Sequence, residues 1–151
     1  CPTSNLFLGS GLFKLHRAKS TEYPIKVGLG TDIGAGTSVS ILQTAAEAYK
    51  VAQLQGRSLS PFQALFLATL GGARALCLED KLGNFDQGKE ADFIVLDLQA
   101  TPLMAVRNAN LSKRSVKDLA EVVFGTMILG DDRTVQATYI AGKLAYEAGK
   151  G

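Results

Sequence analysis

Asp32 is the residue best placed to do chemistry. It lies in Val27–Ser38, VGLGTDIGAGTS, where a short β-branched run, Ile25-Lys26-Val27, leads into a glycine-rich turn and then a helical pattern. A carboxylate at a strand end, on a flexible loop, is where an α/β protein usually holds its reacting groups. There it suits a hard or borderline cation and a bound water. Two other readings of these residues stay open. Gly28-x-Gly30-x-x-x-Gly34 invites a dinucleotide loop, but its spacing is one residue longer than GxGxxG. Asp32 would also put negative charge where backbone N–H groups and a helix dipole favour an anion. The glycines can equally serve a purely structural strand-to-helix turn.

The other candidates read more plainly. His16 is the only histidine and lies among cations in Lys14-Leu15-His16-Arg17, which suggests a solvated ring on an exposed helix. Zinc wants three or four N, S or O ligands, so His16 cannot close a zinc site without a second histidine or a CxxC. Cys77 follows Leu76 and reads as a packed thiol on an apolar helix face. Asp131-Asp132 resembles a metal pair, but within Gly-Asp-Asp-Arg it reads as a solvated turn with an ion pair. Ser4-Asn5 either positions a substrate or satisfies loop backbone. No Ser/His/Asp or Cys/His arrangement is visible.

The elements that would position Asp32 follow from pattern. Residues 6–23 read as a loop and a short helix leading to a strand at 25–29. Ser38–Gln55 is helical, with Leu42, Ala45, Ala46, Tyr49 and Ala52 on one face. Ser40 and Gln43 have capping-box spacing and would start this helix a turn after Ser38; Gly56 closes it. Ser60, Pro61 and Gln63 mark the next helix start, with Phe62, Leu65, Phe66 and Thr69 as its face. Gly71-Gly72 breaks or tightens that helix before another short one, Ala73–Leu78. Helices alternating with a strand indicate α/β. Character changes near residue 82. Turns lead to a strand over Ala91–Leu98, a loop with a helical turn over Ala100–Arg107, a helix over Val116–Phe124 and strand-like residues 125–129. After a turn at Gly130–Arg133, Val135–Ile140, Ala141-Gly142 and Lys143–Tyr146 predict a β-hairpin.

Composition excludes several classes. With 151 residues, 46% hydrophobic and 20% charged, the chain is globular rather than disordered. A mean hydropathy of +0.12 points to a well-buried core or a large interface. The net charge of +2 comes from scattered basic residues with no aromatic-interleaved stripe, which argues against nucleic-acid binding. Two cysteines, Cys1 and Cys77, set no disulfide framework and suit a reducing, cytoplasmic setting. No stretch approaches the ~20 apolar residues that span a bilayer, and no signal peptide is visible. The opening at Cys1-Pro2-Thr3-Ser4-Asn5, without an initiator Met, reads as a chain entered mid-fold.

CPTSNLFLGSGLF, VGLGTDIGAGTS, LQTAAEAYKVAQLQG, PFQALFLATLGGARALCLEDKLGNFDQGKEADFIVLD and LGDDRTVQATYIAGK together resemble the C-terminal part of the guanine deaminases in the amidohydrolase superfamily. The resemblance runs from Cys1 to about Tyr146. It implies an α/β fold: the C-terminal part of a (β/α)8 metal-dependent hydrolase barrel, plus part of a small β-sandwich. Residues 1–81 would supply the last strands and helices of the barrel, with Cys1–Asn5 at the exit of one strand and 25–31 as the last strand. Residues 82–151 would supply a β-sandwich portion with a C-terminal helix and hairpin.

The implied reaction is zinc-dependent hydrolytic deamination of guanine to xanthine and ammonia, with one zinc per full-length chain. Asp32 would be the catalytic, substrate-binding and metal residue: beside or on the zinc, it would accept the water's proton and help deliver it to the leaving nitrogen. Ile33–Ser38 would shape one pocket wall, and Asn5 would brace the neighbouring strand end. The family's His-x-His pair, two further histidine ligands and glutamate shuttle have no counterpart in these residues, so the isolated segment is expected to be inactive. The resemblance also implies a cytoplasmic homodimer with guanine as its small-molecule partner, and neither nucleic acid nor membrane. Alternatives are a sibling amidohydrolase acting on another amino-heterocycle or a chlorinated ring, and a non-catalytic fragment that docks a missing N-terminal half.

Overall fold

The computed structural model describes residues 1–22, 24–110 and 115–150. The basic residues Lys113 and Arg114 lie outside them. The described residues form helices and one three-stranded sheet, whose first strand precedes the last two α-helices in the chain.

Helix α1, Pro2–Leu8, starts with proline in its first turn and stops at Gly9, whose φ of 67° is left-handed. The segment expected at a strand exit, Cys1–Asn5, therefore enters a helix at once. The single turn of α2, Leu15–Ala18, follows. The strand expected at 25–29 from pattern, and at 25–31 from the resemblance, forms no ladder among the described residues. These residues are extended but have no strand partner among the described residues, and their backbone bonds run elsewhere: Ile25 N–H to the Ala18 carbonyl at 2.9 Å and Leu29 N–H to the Leu67 carbonyl at 2.9 Å. A strand is defined by its ladder, so β-branched composition alone cannot make one.

Helix α3, Ile41–Leu54, starts where its cap spacing places it. The Ser40 hydroxyl accepts from Gln43 N–H, and Thr44, Ala45, Ala46, Ala48, Val51 and Ala52 are buried. Helix α4, Pro61–Ala68, has a complete capping box between Ser60 and Gln63. Its buried face, however, is Ala64 and Leu67, while Phe62 and Leu65 are exposed. PFQALFLA is apolar nearly all round, so its pattern does not choose a face. The break after α4 falls at Thr69 (φ −126°, ψ −103°), and Gly71 and Gly72 lie inside α5, Leu70–Ala75.

The core joins α3, α4 and the segment between them to α7, Val116–Leu129: Ala45, Ala52, Leu59, Leu67 and Met127 are buried together, with Val27, Leu29, Tyr49 and Phe124 against them. Tyr49 meets Phe124 edge-to-face at 5.2 Å. Residues 125–129, expected to be strand-like, continue α7. The Thr126 hydroxyl donates to the Val122 carbonyl at 2.8 Å, and burial of Met127 holds the last turn helical.

The sheet is antiparallel in the order β1-β2-β3, from Phe93–Leu96, Val135–Ile140 and Lys143–Glu147. β1 is shorter than the expected Ala91–Leu98. The stretch from Ala100 is mostly α6, Pro102–Asn108, capped by Thr101. The hairpin forms as its sequence predicts, Ala141 and Gly142 both taking positive φ as a tight primed turn requires. Phe93 and Tyr139, paired across β1 and β2, stack at 4.5 Å.

Candidate functional site

The Asp32 turn is built by close packing of backbone. Val27–Thr31 runs along α4 and α5, where a Cβ on Gly28 would lie 2.6 Å from the Gly72 Cα. Gly30 faces the Cys1 thiol, and Gly34 has φ +115° in open space. Each glycine of the Gly28-x-Gly30-x-x-x-Gly34 spacing thus has its own local reason, and no dinucleotide loop is needed to explain it.

Asp32 itself has φ 50°, a left-handed conformation that Asp tolerates better than most residues. Its carbonyl accepts from the N–H groups of Ala35 and Gly36. A Cβ on Gly36 would stand 2.0 Å from the Thr31 carbonyl oxygen, so the turn closes only over glycine. From the other side, the Thr3 hydroxyl, 2% exposed, donates to the Thr31 carbonyl at 3.1 Å. The backbone of Asp32 is therefore held on both flanks while its side chain is exposed. No hydrogen bond or ion pair reaches its carboxylate among the described residues.

The remaining candidates separate from Asp32. His16 is half-buried rather than solvated, and its Nε2 is enclosed without a partner. Cys77 is no packed helical thiol: it is exposed, beyond the end of α5, with φ 57°. Asp131 forms the expected ion pair, with Arg133. The Ser4 hydroxyl donates to the Cys1 carbonyl at 3.0 Å, so it serves backbone. Among the described residues no three His, Cys, Asp or Glu side chains come together as a metal cluster. Asp32 thus fits a metal ion as one oxygen donor, exposed and without a competing cation side chain. Sequence reasoning missed Thr3 and Gly36, which fix the turn; the long-range Thr3 bond leaves no local signature.

The Amidohydrolase family pattern matches residues 1–145, and the chain belongs to that family. Within it, the chain is 56% identical to the guanine deaminase of Escherichia coli (strain K12) over 147 residues, which is 97% of this chain and 32% of that protein. Solved structures agree: E. coli guanine deaminase superposes with a TM-score of 0.89 over 97% of this chain and 33% of its own. Guanine deaminase from Bradyrhizobium japonicum, 39% identical, reaches 0.88 over 97% of this chain and 36% of its own. Guanine deaminase from C. acetobutylicum, solved with guanine in its active site, reaches 0.75 at 29% identity over 97% of this chain and 33% of its own. The chain spans about a third of the length of the curated relatives it matches.

Proposed function

We propose that this chain is the C-terminal segment of a zinc-dependent guanine deaminase, which hydrolyses guanine to xanthine and ammonia. The observation that carries the reading is the Asp32 carboxylate, presented without a side-chain partner on a turn whose backbone is held from both sides. The identity to guanine deaminases supports the substrate.

Asp32 would give one carboxylate oxygen to zinc; the other ligands would come from the part of the relatives that this chain does not span. Bound zinc lowers the pKa of a water toward about 7, making a nucleophile available at neutral pH. Asp32 takes the proton from the attacking water at its free carboxylate oxygen. As the C–O bond forms at the amino-bearing ring carbon, Asp32 hands that proton to the departing nitrogen. The C–N bond breaks and ammonia leaves. Ile33–Ser38 forms a wall of the pocket, and fixing the Asp32 backbone keeps the carboxylate aimed as the proton moves.

Residues 25–31 would be the last barrel strand, 1–81 the end of the barrel and 82–151 the β-sandwich portion. An extended, unpaired 24–30 segment is consistent with a strand whose neighbours lie elsewhere. So are the exposed apolar side chains Phe7, Leu8 and Leu76, at 69%, 63% and 71% exposure, which need a covering surface. On the same resemblance, the complete enzyme is a cytoplasmic homodimer. Among the described residues no helix is long and apolar enough to cross a membrane.

The test is guanine hydrolysis by the longer polypeptide that contains this segment, followed by ammonia release, with zinc content measured on the same sample. Turnover with about one zinc per chain supports the reading. Adenosine or a chlorotriazine consumed in preference to guanine moves it to a sibling amidohydrolase. The 151 residues alone should give no turnover, having one donor where zinc needs several.

A further inference from the structure

Two cavities adjoin on the side of the molecule formed by α2, the 24–27 segment, α4 and α5. One, of about 310 Å³, is lined by Lys19, Lys26, Arg74 and Phe66, among others. The second, of about 240 Å³, is lined by Leu15, His16, Leu59, Gln63 and Leu67, and shares Lys19 and Phe66 with the first. Asp32 lines neither.

The two halves differ in chemistry. The first is lined by three cations, Lys19, Lys26 and Arg74. The Lys19 Nζ and the Arg74 Cζ each lie 5.6 Å from the centre of the Phe66 ring, so one aromatic attracts both. Gly71 makes that ring's seat: a Cβ there would come within 3.0 Å of Phe66 Cε1. Lys26 is paired at 3.3 Å with Glu79, which lies outside the lining. A hydrogen bond from its own backbone, and after it Lys26, keep Glu79 below the usual carboxylate range, hence charged. Three cations against one carboxylate leave a surplus of positive charge, while the cation–π contacts leave N–H donors unspent.

In the second cavity, Leu59 and Leu67, each 2% exposed, give apolar walls. Among the described residues that line it, the enclosed polar atom without a partner is His16 Nε2. An imidazole nitrogen in an apolar wall wants one hydrogen bond from whatever occupies the space.

We propose that these two adjoining cavities together bind a small organic phosphate, its phosphate on Lys19, Lys26 and Arg74 and its flat ring beside His16. Planar guanidinium and ammonium donors suit a phosphate, and the shape asks for a ring and an anion joined by a spacer. The inference does not depend on the deaminase reading.

AMP is the probe, because it joins a hydrogen-bonding ring to a phosphate through a spacer. Isothermal titration on the complete polypeptide compares it with adenosine and with inorganic phosphate, each offering one half. The expected result is one AMP site, at least tenfold tighter than either half. Arg74→Gln and Lys19→Gln, both at exposed side chains and checked for an unchanged melting midpoint, should each weaken AMP at least fivefold. His16→Phe should weaken AMP and adenosine and leave phosphate unchanged. AMP binding no tighter than phosphate, or binding indifferent to Arg74→Gln and Lys19→Gln, overturns the proposal and leaves only adventitious anion attraction.

Discussion

Two acidic turns in this molecule look alike in sequence and are opposites in structure. Thr31-Asp32-Ile33-Gly34 and Gly130-Asp131-Asp132-Arg133 each set a carboxylate beside glycine. At the second, Asp131 caps the 3-10 turn Asp132–Thr134 and forms an ion pair with Arg133, which also donates its backbone N–H to it. Its side chain is consumed in holding its own turn. At the first, the backbone does the holding, through the Asp32 carbonyl, Gly36 and Thr3, and the carboxylate is left over. A carboxylate already neutralised by a guanidinium has little capacity to accept a proton or bind a metal. An unpaired one on a fixed backbone has both. The two turns differ in which part of the acidic residue stabilises the turn: the side chain at Asp131, the backbone at Asp32.

The sharpest way to break this comparison is to remove each carboxylate in the complete polypeptide. Asp32→Ala should lower guanine turnover by about 10³-fold, roughly 4 kcal/mol of transition-state stabilisation, if one group both holds the metal and moves the proton. Asp32→Asn should lose nearly as much, because it keeps shape but not basicity. Steady-state kinetics with kcat and KM separated, on protein of verified zinc content, measures both. Full turnover by Asp32→Ala would sink the proposed role.

Next in size is the backbone that presents Asp32. Gly36→Ala forces a methyl against the Thr31 carbonyl at 2.0 Å and must displace the turn. It should destabilise the fold by about 2 kcal/mol, read in urea denaturation. Gly34→Ala meets no atom within 4 Å but must hold φ +115°, so its cost should be strain alone and smaller, about 1 kcal/mol. Equal costs for the two would mean that contact with Thr31 does not shape the turn. Thr3→Val removes the donor to the Thr31 carbonyl while keeping shape, at about 1 kcal/mol. In the complete polypeptide it should lower kcat more than it raises KM, and Thr3→Ser should restore most of the loss.

The same division between local and distant causes explains how much could be read from sequence. The start of α3 at Ser40 and Gln43, the capping box at Ser60 and Gln63, and the Ala141-Gly142 hairpin are set by residues within four positions of each other. All three were legible. So was the turn at Asp32 as a turn, because an acid among glycines is a local pattern. Residues 25–29 form no ladder because a ladder needs a partner, and none of the described residues provides it. Residues 125–129 failed as a strand because Met127 is drawn into a core with Ala45, Ala52 and Leu67, and packing overrides β propensity. The face of α4 was misread because Phe62 and Leu65 carry the same apolar signal as Ala64 and Leu67. Thr3 was invisible as a brace because its partner lies 28 residues away.

The smallest expected effect tests the structural half of the comparison, through pH. The Arg133 guanidinium, hydrogen-bonded to Asp131, holds that carboxyl below its ordinary value of 3.8. The folded state therefore binds this proton less readily than the unfolded chain does. Its contribution to stability is fully present above the unfolded value and is lost as pH falls through the lower, folded one. Asp131→Asn removes both the charge and the titration. The stability difference between wild type and Asp131→Asn should be constant from pH 5 to 7 and shrink below about pH 3.8. High salt should reduce it at neutral pH, since both partners are exposed at their surfaces. Guanine turnover by the complete polypeptide should stay within roughly twofold of wild type, because a pair that spends its charge on its own turn has none to offer a substrate. A large loss of turnover in Asp131→Asn, with stability unchanged, would reverse the roles assigned to the two turns.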